Sequence, residues 1–461
     1  MKNKEAKIFF SLIITVAILF VIVVIFGDKV NESAVPAAAE TTQTTQPPKQ
    51  EVSVNFISAG DNLIHDGIYK QAAKRAGGTG AYDFSYCYEN VAEIVSKADV
   101  ATINQETVIA KSFDPSGYPT FNSPHEVGDE IVKIGFDVIN LANNHMLDKG
   151  AKGMRENVEY WDSQTSVTHT GSYKNEEDVN RVEYIESNGM KIGLVGITQY
   201  TNGLYLPKDS ELRIIYSDNE ELIQKKITEA KKECDIVLVN VHWGIEYQTS
   251  PNDDQRALAK KMSDWGADVI IGHHPHVLEP IEFIERDDGS RTLVVYSLGN
   301  FISQQNKPSR VIGGMVQYTV TKDKTSGRVT VSNVKFVPTI THYVQGVDDV
   351  KIYLLSQYTD ALAAKQRNRL GSQKFSLDYI NSFLSDVIDS QFYDTGIQKA
   401  SEENTTKEVS TAKETTTVKE TTTAKKSQTS TTKKAAETTT EKAAESTSKA
   451  PEESTTAKKA A

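Results

Sequence analysis

Residues 268–276 read DVIIGHHPH: an aspartate, three β-branched apolar residues, a glycine, and then three histidines within four positions. A short β-branched run bounded by glycine has the pattern of a strand buried on both faces. Groups just past such a strand sit where open α/β sheets collect their functional residues. Four further stretches repeat the arrangement: FISAGDNLIH (56–65), DVATINQE (99–106), DVINLANNHMLD (137–148) and DIVLVNVHWG (235–244). A single histidine after a strand is most often a capped or hydrogen-bonded structural residue. Five polar clusters in the same relative position are how a metal site is built from a sheet.

Helical spacing links these strands at 86–97, 127–134 and 151–163, then at 220–232 behind an N-cap at Asp218, and at 254–265 ending on Gly266. A hairpin turns at Asn188-Gly189 between 182–186 and 191–197, and hairpins take over after 276, with strands at 281–285, 292–296, 314–321 and 328–337. Mixed connections of this kind predict an α/β domain over 52–345, with two sheets packed together and helices outside. Residues 346–400 read as a helical extension, with helices at 350–357 and 377–390, that covers an edge or forms a small appendage. No internal repeat is evident.

Both ends differ from this middle. Ile8 to Phe26 is a nearly unbroken apolar run behind Lys2, Lys4 and Lys7, and at about 1.5 Å per residue it is long enough for a ~30 Å hydrocarbon core. It reads as an uncleaved transmembrane anchor over 8–27, since a signal peptide has a shorter apolar region with a small-residue cleavage site close behind. The basic residues 1–7 then stay cytoplasmic, and the main domain is extracellular on a single-pass cell-membrane protein. Residues 28–51 have the composition of a flexible linker. Residues 401–461, with repeated KETTT and no aromatic residue, cannot bury enough apolar surface to order themselves and read as a disordered tail.

The chain carries a net charge of −11, and its tail is nearly neutral, with 11 Lys against 10 Glu. The acidic remainder argues against a nucleic-acid partner. Cys87 and Cys234 sit in apolar helical contexts, where buried thiols are expected rather than a disulfide.

The clusters supply Asp61 and His65, Asn104 and Glu106, then Asn143, Asn144, His145 and Asp148, then His242 and Glu246, and last His274 and His276. Imidazole, carboxylate and amide donors without a cysteine cluster suit divalent first-row ions such as Mn, Zn or Fe. Their number fits two ions ~3.5–4 Å apart with a bridging carboxylate.

In order, these clusters resemble the calcineurin-like metallophosphoesterase superfamily, and within it the CapA family of poly-γ-glutamate capsule synthesis proteins. GDNLIH (60–65), NQE (104–106), ANNHMLDKG (142–150), HWG-x-E (242–246), GHHPH (272–276) and YSLGNF (296–301) carry the resemblance, which covers about residues 52–345. It implies a metallophosphatase-like two-sheet sandwich in α/β/β/α layers, with one N-terminal transmembrane helix. It also implies Asp61, His65 and His276 around one metal, Glu106 shared, and Asn144, His242 and His274 around the second. His145 would protonate or hydrogen-bond a leaving oxygen with Asp148 orienting it, and Asn104, Asn143, Glu246 and Asn300 would support the centre or touch substrate. His273 is expected to point away from its neighbours, and Trp243 and Phe301 to be core or pocket wall.

The pattern departs from ordinary metallophosphatases in two places. Asn104-Gln105-Glu106 stands where they carry Gly-Asp-x-x-Asp, and the first Asp-x-His is stretched to Asp61-x-x-x-His65. Three functions are compatible with this pattern: handling of the anionic polyglutamate in synthesis, transfer or export beside synthetase subunits; metal-dependent phosphoester cleavage; or a non-catalytic accessory role with a structural metal site.

Overall fold

Asp99, Asp137, Asp235 and Asp268 each stand immediately before a strand, and all four do the same work. The backbone N–H of Asp268 donates to the Val237 carbonyl at 2.9 Å, while its carboxylate accepts the Val237 N–H at 2.9 Å. The same two-way clasp joins Asp137 to Ala101, Asp99 to Asn55 and Asp235 to Lys191. Each aspartate thus fixes the register of its strand against the preceding one. In a sheet, a one-residue slip would turn every side chain to the wrong face.

The computed structural model describes residues 50–78, 80–343, 350–366 and 374–393. Its strands are β1 (Glu51–Asn62), β2 (Val100–Gln105), β3 (Val138–Asn140), β4 (Thr168–Thr170), β5 (Glu183–Ser187), β6 (Met190–Thr198), β7 (Ile236–His242), β8 (Val269–His273), β9 (Leu278–Glu285), β10 (Arg291–Leu298), β11 (Asn300–Ile302), β12 (Ile312–Asp323), β13 (Val329–Tyr343) and β14 (Val350–Leu354). One sheet runs β14-β13-β12-β1-β2-β3-β4, with β11 beside β1, and the other runs β5-β6-β7-β8-β10-β9. Parallel pairs join β1 through β4 in the first sheet, and β6, β7, β8 and β10 in the second. Antiparallel strands close the remaining edges.

The alternation of each strand assigns its side chains to two separate cores. In β7, Ile236 and Leu238 join the core shared with the first sheet, whereas Val237 and Val239 join a second core under the helices Glu220–Glu233 and Asp253–Trp265. Val269 and Ile271 against Ile270 divide in the same way in β8. Each of these fully buried aliphatic side chains contributes roughly 1.5–3 kcal/mol. The mixed α/β, two-sheet expectation therefore matches the arrangement found.

Three expectations change. Residues 350–354 are a strand rather than a helix: β14 pairs antiparallel with β13, and Val350 and Ile352 are buried in the first sheet's core. Pairing partners decide such a short apolar run, which carries no helical stripe of its own. The helix Glu220–Glu233 is capped by Asn219, whose side chain accepts from the Leu222 N–H, and not by Asp218. The helix Asp66–Arg75 and the short strands β4 and β11 add to the expected elements. Cys87 and Cys234 are buried, and neither is in a disulfide. The proposed anchor at 8–27, the linker up to residue 49 and the tail at 401–461 lie outside the described residues. Within the described residues, no helix is long and apolar enough to cross a membrane.

Gly60 sits where the two sheets approach each other. A β-carbon there would run into the Gly299 carbonyl, and its absence lets the Asp61 N–H reach that oxygen at 2.9 Å. Gly299 joins β10 of the second sheet to β11 of the first, so this contact draws the two sheets together under Asp61.

Candidate metal centre

The carboxyl ends of the parallel strands in both sheets point to one place. In the first sheet the register sets Asp61 opposite Asn104 and Asn104 opposite Asn140, and their side chains link in the same order. Asn140 donates to Asn104 at 2.9 Å, and Asn104 donates to Asp61 at 2.8 Å. In the second sheet, Thr198, His242 and His273 stand level across β6, β7 and β8. The loop after β8 carries His274 and His276 over the ends of the strands.

Asp61, Glu106, Asn144, His242, His274 and His276 come together there, all buried. His276 Nδ1 lies 3.2 Å from Asp61, and its Nε2 lies 3.6 Å from Glu106 Oε1. His242 Nε2 is 3.6 Å from the same Glu106 oxygen, 3.0 Å from Asn144 Oδ1 and 3.2 Å from His274 Nδ1. Ligand atoms of Glu106, His274 and His276 all fall within 4.8 Å of one another.

Among the described residues neither Glu106 oxygen has a hydrogen-bond partner, and His273 Nδ1 and His276 Nδ1 have none either. Buried polar groups are normally paired, and an isolated buried carboxylate is costly. A donor set of this composition around an orphaned carboxylate fits divalent cations. Burial pushes the Glu106 carboxyl well above its ordinary value, and the charge on Asp61 adds to this. Burial also opposes ionisation of Asp61, but the imidazoles of His273 and His276 hold it well below the usual carboxylate range. Burial lowers His274 to about 3 and His242 well below its ordinary value, so both rings are neutral, the form that binds a metal.

The backbone is strained at this point. His274 and His276 have φ of 99° and 57°, in the left-handed region that residues other than glycine rarely enter. Such conformations cost on the order of 1–3 kcal/mol and gather at functional sites. Here they turn two histidines of one loop into one pocket.

His65 lies at the rim. Its Nδ1 is 3.2 Å from the Leu63 carbonyl and accepts the Gln304 N–H at 3.2 Å, and among the described residues no hydrogen bond or ion pair joins it to the other six. Burial lowers it to about 4. Phe121 stands edge-on between His65 and His145, with ring centroids at 5.2 and 4.7 Å. His145 Nδ1 is 2.8 Å from Asp148, whose carboxylate also accepts the Phe121 N–H at 2.6 Å. With Nδ1 engaged, Nε2 of His145 is the nitrogen left for proton transfer.

The supporting residues separate into two kinds. Asn143 accepts the His145 N–H at 3.1 Å and donates to the Gln105 carbonyl, and Asn300 donates to the His276 carbonyl at 3.2 Å. Glu246 is exposed beside Tyr247, outside the buried cluster. Trp243 and Phe301 are core, as expected. His273 differs from expectation: it faces inward, with Nδ1 3.5 Å from Asp61, on the same side of β8 as Val269 and Ile271, and the left-handed turn at His274 brings the next ring to that side as well.

Two residues of the site escape the sequence pattern. The Tyr200 hydroxyl meets His274 Nε2, and Asn202 accepts from Asn144 at 3.2 Å while its amide lies 3.4 Å from His145. Gln199-Tyr200-Thr201-Asn202 follows β6, so the strand-end rule covers it, but it holds no histidine or acid to draw notice.

The molecule is thus a two-sheet α/β protein with a buried carboxylate–imidazole centre at the carboxyl ends of its parallel strands. The chain belongs to the family described as bacterial capsule synthesis protein PGA_cap, whose profile matches residues 55–305. It is 38% identical over 204 residues to the PGA biosynthesis protein CapA of Bacillus subtilis, covering 43% of this chain and 52% of that one. It is 32% identical over 248 residues to the capsule biosynthesis protein CapA of Bacillus anthracis, covering 51% and 58%. The match thus spans little more than half the length of these curated relatives. Among solved structures, a phosphatase from Mycoplasma pneumoniae aligns with a TM-score of 0.38 at 14% identity, covering 62% of this chain and 93% of that one.

Proposed function

We propose that this chain is a metal-dependent acyl-transfer or hydrolytic component of poly-γ-glutamate capsule synthesis, acting on the polymer outside the cell. One observation carries the reading: Glu106, buried and with no hydrogen bond to either oxygen among the described residues, faces His276 and His242 at 3.6 Å. Asp61, Glu106 and His276 would hold one divalent ion, with His65 approaching from the rim, and Asn144, His242 and His274 a second sharing Glu106. Mn, Zn or Fe all suit these donors. Such ions supply Lewis acidity to an acyl or phosphoryl oxygen.

The chain's own residues would do the rest. Asn104 and Asn140 hold Asp61 in place, and Tyr200 orients His274. When the amide C–N bond of a γ-glutamyl link breaks, the acyl group passes to water or to an amine, and His145, held by Asp148, delivers a proton to the leaving nitrogen. Glutamate at position 106 in place of a shorter aspartate is one reason to favour the polymer over phosphoesters.

In this reading residues 8–27 anchor the chain in the membrane, 28–51 tether the domain at 52–345 with its extension at 346–400, and 401–461 are the Thr/Lys/Glu/Ala-rich tail. The names of the relatives, one group being probable polyglutamine synthesis accessory proteins of Mycobacterium tuberculosis, support synthetase subunits as partners. The test is metal analysis of the full chain, followed by assays on a γ-glutamyl polymer and on phosphate mono- and diesters. Metal-dependent shortening or transfer of the polymer, abolished by Asp61→Ala, is expected. Cleavage of phosphoesters alone would overturn the polymer reading, and metal-independent association with the synthetase without turnover would make the chain an accessory subunit.

A further inference from the structure

Arg310 ends a single turn of 3-10 helix, Pro308–Arg310, and its half-buried guanidinium stacks on the Tyr247 ring, 3.2 Å from the ring centroid. Among the described residues it makes no hydrogen bond or ion pair through its side chain. Elsewhere the partly buried arginines are paired: Arg286 binds Thr292 and Asp268, Arg213 binds Glu176, and Arg75 donates to the Asp83 carbonyl. A guanidinium withdrawn partly from water and left without an acid is suited to an incoming anion.

Its position is fixed from two sides. The Asn300 amide donates to the Arg310 carbonyl at 2.9 Å and to the His276 carbonyl at 3.2 Å, tying both main chains to one nitrogen. The Tyr247 N–H donates to the Pro275 carbonyl at 2.7 Å, and the Tyr247 ring lies 6.2 Å from the His276 ring. Arg310 and Tyr247 therefore form a cation–aromatic pair built onto the His274–His276 loop. Tyr247 itself adopts a left-handed φ of 70°, which only a held conformation sustains. Burial, and after it Glu246, next to Tyr247 in the chain, push the Tyr247 hydroxyl up, and among the described residues Glu246 forms no ion pair with the guanidinium.

We infer that Arg310, presented by Tyr247, binds a free carboxylate of the substrate next to the γ-amide being processed. This rests on the proposed function in its choice of a carboxylate. A poly-γ-glutamate chain carries one free α-carboxylate per residue, so when one γ-amide lies at the metal centre, neighbouring carboxylates lie within a side-chain length of it. Arginine reads such a group through two parallel hydrogen bonds, which a lysine cannot reproduce.

The test uses the full chain and its Arg310→Met and Arg310→Lys variants. Binding is measured for a γ-glutamyl oligomer, for the same oligomer with its α-carboxylates converted to amides, and for inorganic phosphate; thermal midpoint and metal content are read as controls. The expected result is a 10- to 100-fold loss of oligomer affinity in Arg310→Met, with partial recovery in Arg310→Lys. Binding of the amidated oligomer, the thermal midpoint and the metal content should be unchanged. Equal oligomer binding by wild type and Arg310→Met would overturn the inference and leave the proposed function standing. If wild type binds phosphate through Arg310 but no oligomer, the polymer reading and the carboxylate assignment both fall while the anion site remains. Binding of neither probe, or a loss accompanied by lower metal content, would overturn the inference.

Discussion

His276 Nε2 stands 3.6 Å from Glu106 Oε1, and that carboxylate, sealed from solvent, has no hydrogen bond to either oxygen among the described residues. A side chain held in this way lowers stability without a cation and is useful with one. Glu106→Leu should therefore separate the two effects. Metal content of the purified chain should fall by about half or more, while the metal-free protein gains about 1–3 kcal/mol in urea unfolding. Unchanged metal content would remove Glu106 from the ligand set.

The second prediction concerns Tyr200. Its hydroxyl fixes the orientation of His274, and loss of such an outer partner typically weakens a metal site about 10- to 100-fold. Tyr200→Phe should show this in competition with a calibrated chelator, with little change in folding. Full affinity in the variant would mean that the contact is incidental.

For the His145–Asp148 pair, Asp148→Asn keeps an acceptor for the Phe121 N–H but removes the charge facing His145 Nδ1. Turnover of a γ-glutamyl oligomer should drop about 10²- to 10⁴-fold with metal content intact. A parallel loss of metal would instead make the pair structural.

Asp268 tests the fold. Its carboxylate accepts from Val237 N–H and pairs with Lys231 at 2.7 Å. Asp268→Ala leaves a buried N–H without a partner and should cost about 1–3 kcal/mol. Metal affinity should stay within about twofold, since the clasp lies at the opposite end of the strand from the site; stability equal to wild type would deny the clasp its role.

His342 supplies a pH signature away from the metal centre. Burial lowers it from 6.5 to about 4, and its Nδ1 is hydrogen-bonded to the Tyr358 hydroxyl at 2.8 Å. Between these two values the unfolded chain binds the proton and the folded chain does not, so this contribution to stability is complete above pH ~6.5 and is lost as pH falls toward 4. Urea midpoints over that range should fall less steeply in His342→Asn than in wild type. Parallel curves would show that this ring does not titrate on unfolding.

Much of the centre is legible in the sequence because strand ends are local events. An apolar β-branched run followed by polar residues is visible in a few letters, and Asp61, Glu106, Asn144, His242, His274 and His276 each stand out in that way. His65 stands out equally, since four residues of spacing after Asp61 cannot say whether a ring reaches the centre or turns to Gln304 and Phe121. His273 shares the face of Val269 and Ile271 in β8 and so turns inward by ordinary alternation, whereas the positive φ of His274, which brings the next ring to the same side, is invisible in sequence.

Which segments are strands buried on both faces, where they end and which donors stand there are matters of sequence alone, because those properties depend on neighbours along the chain. Which ends meet is a matter of tertiary packing. That Val350–Leu354 becomes an edge strand depends on β13. That Tyr200 meets His274 and Arg310 covers Tyr247 depends on loops from different strands closing over one another. Partners distant in sequence leave no periodic trace, and their meeting is set by the packing of the two sheets.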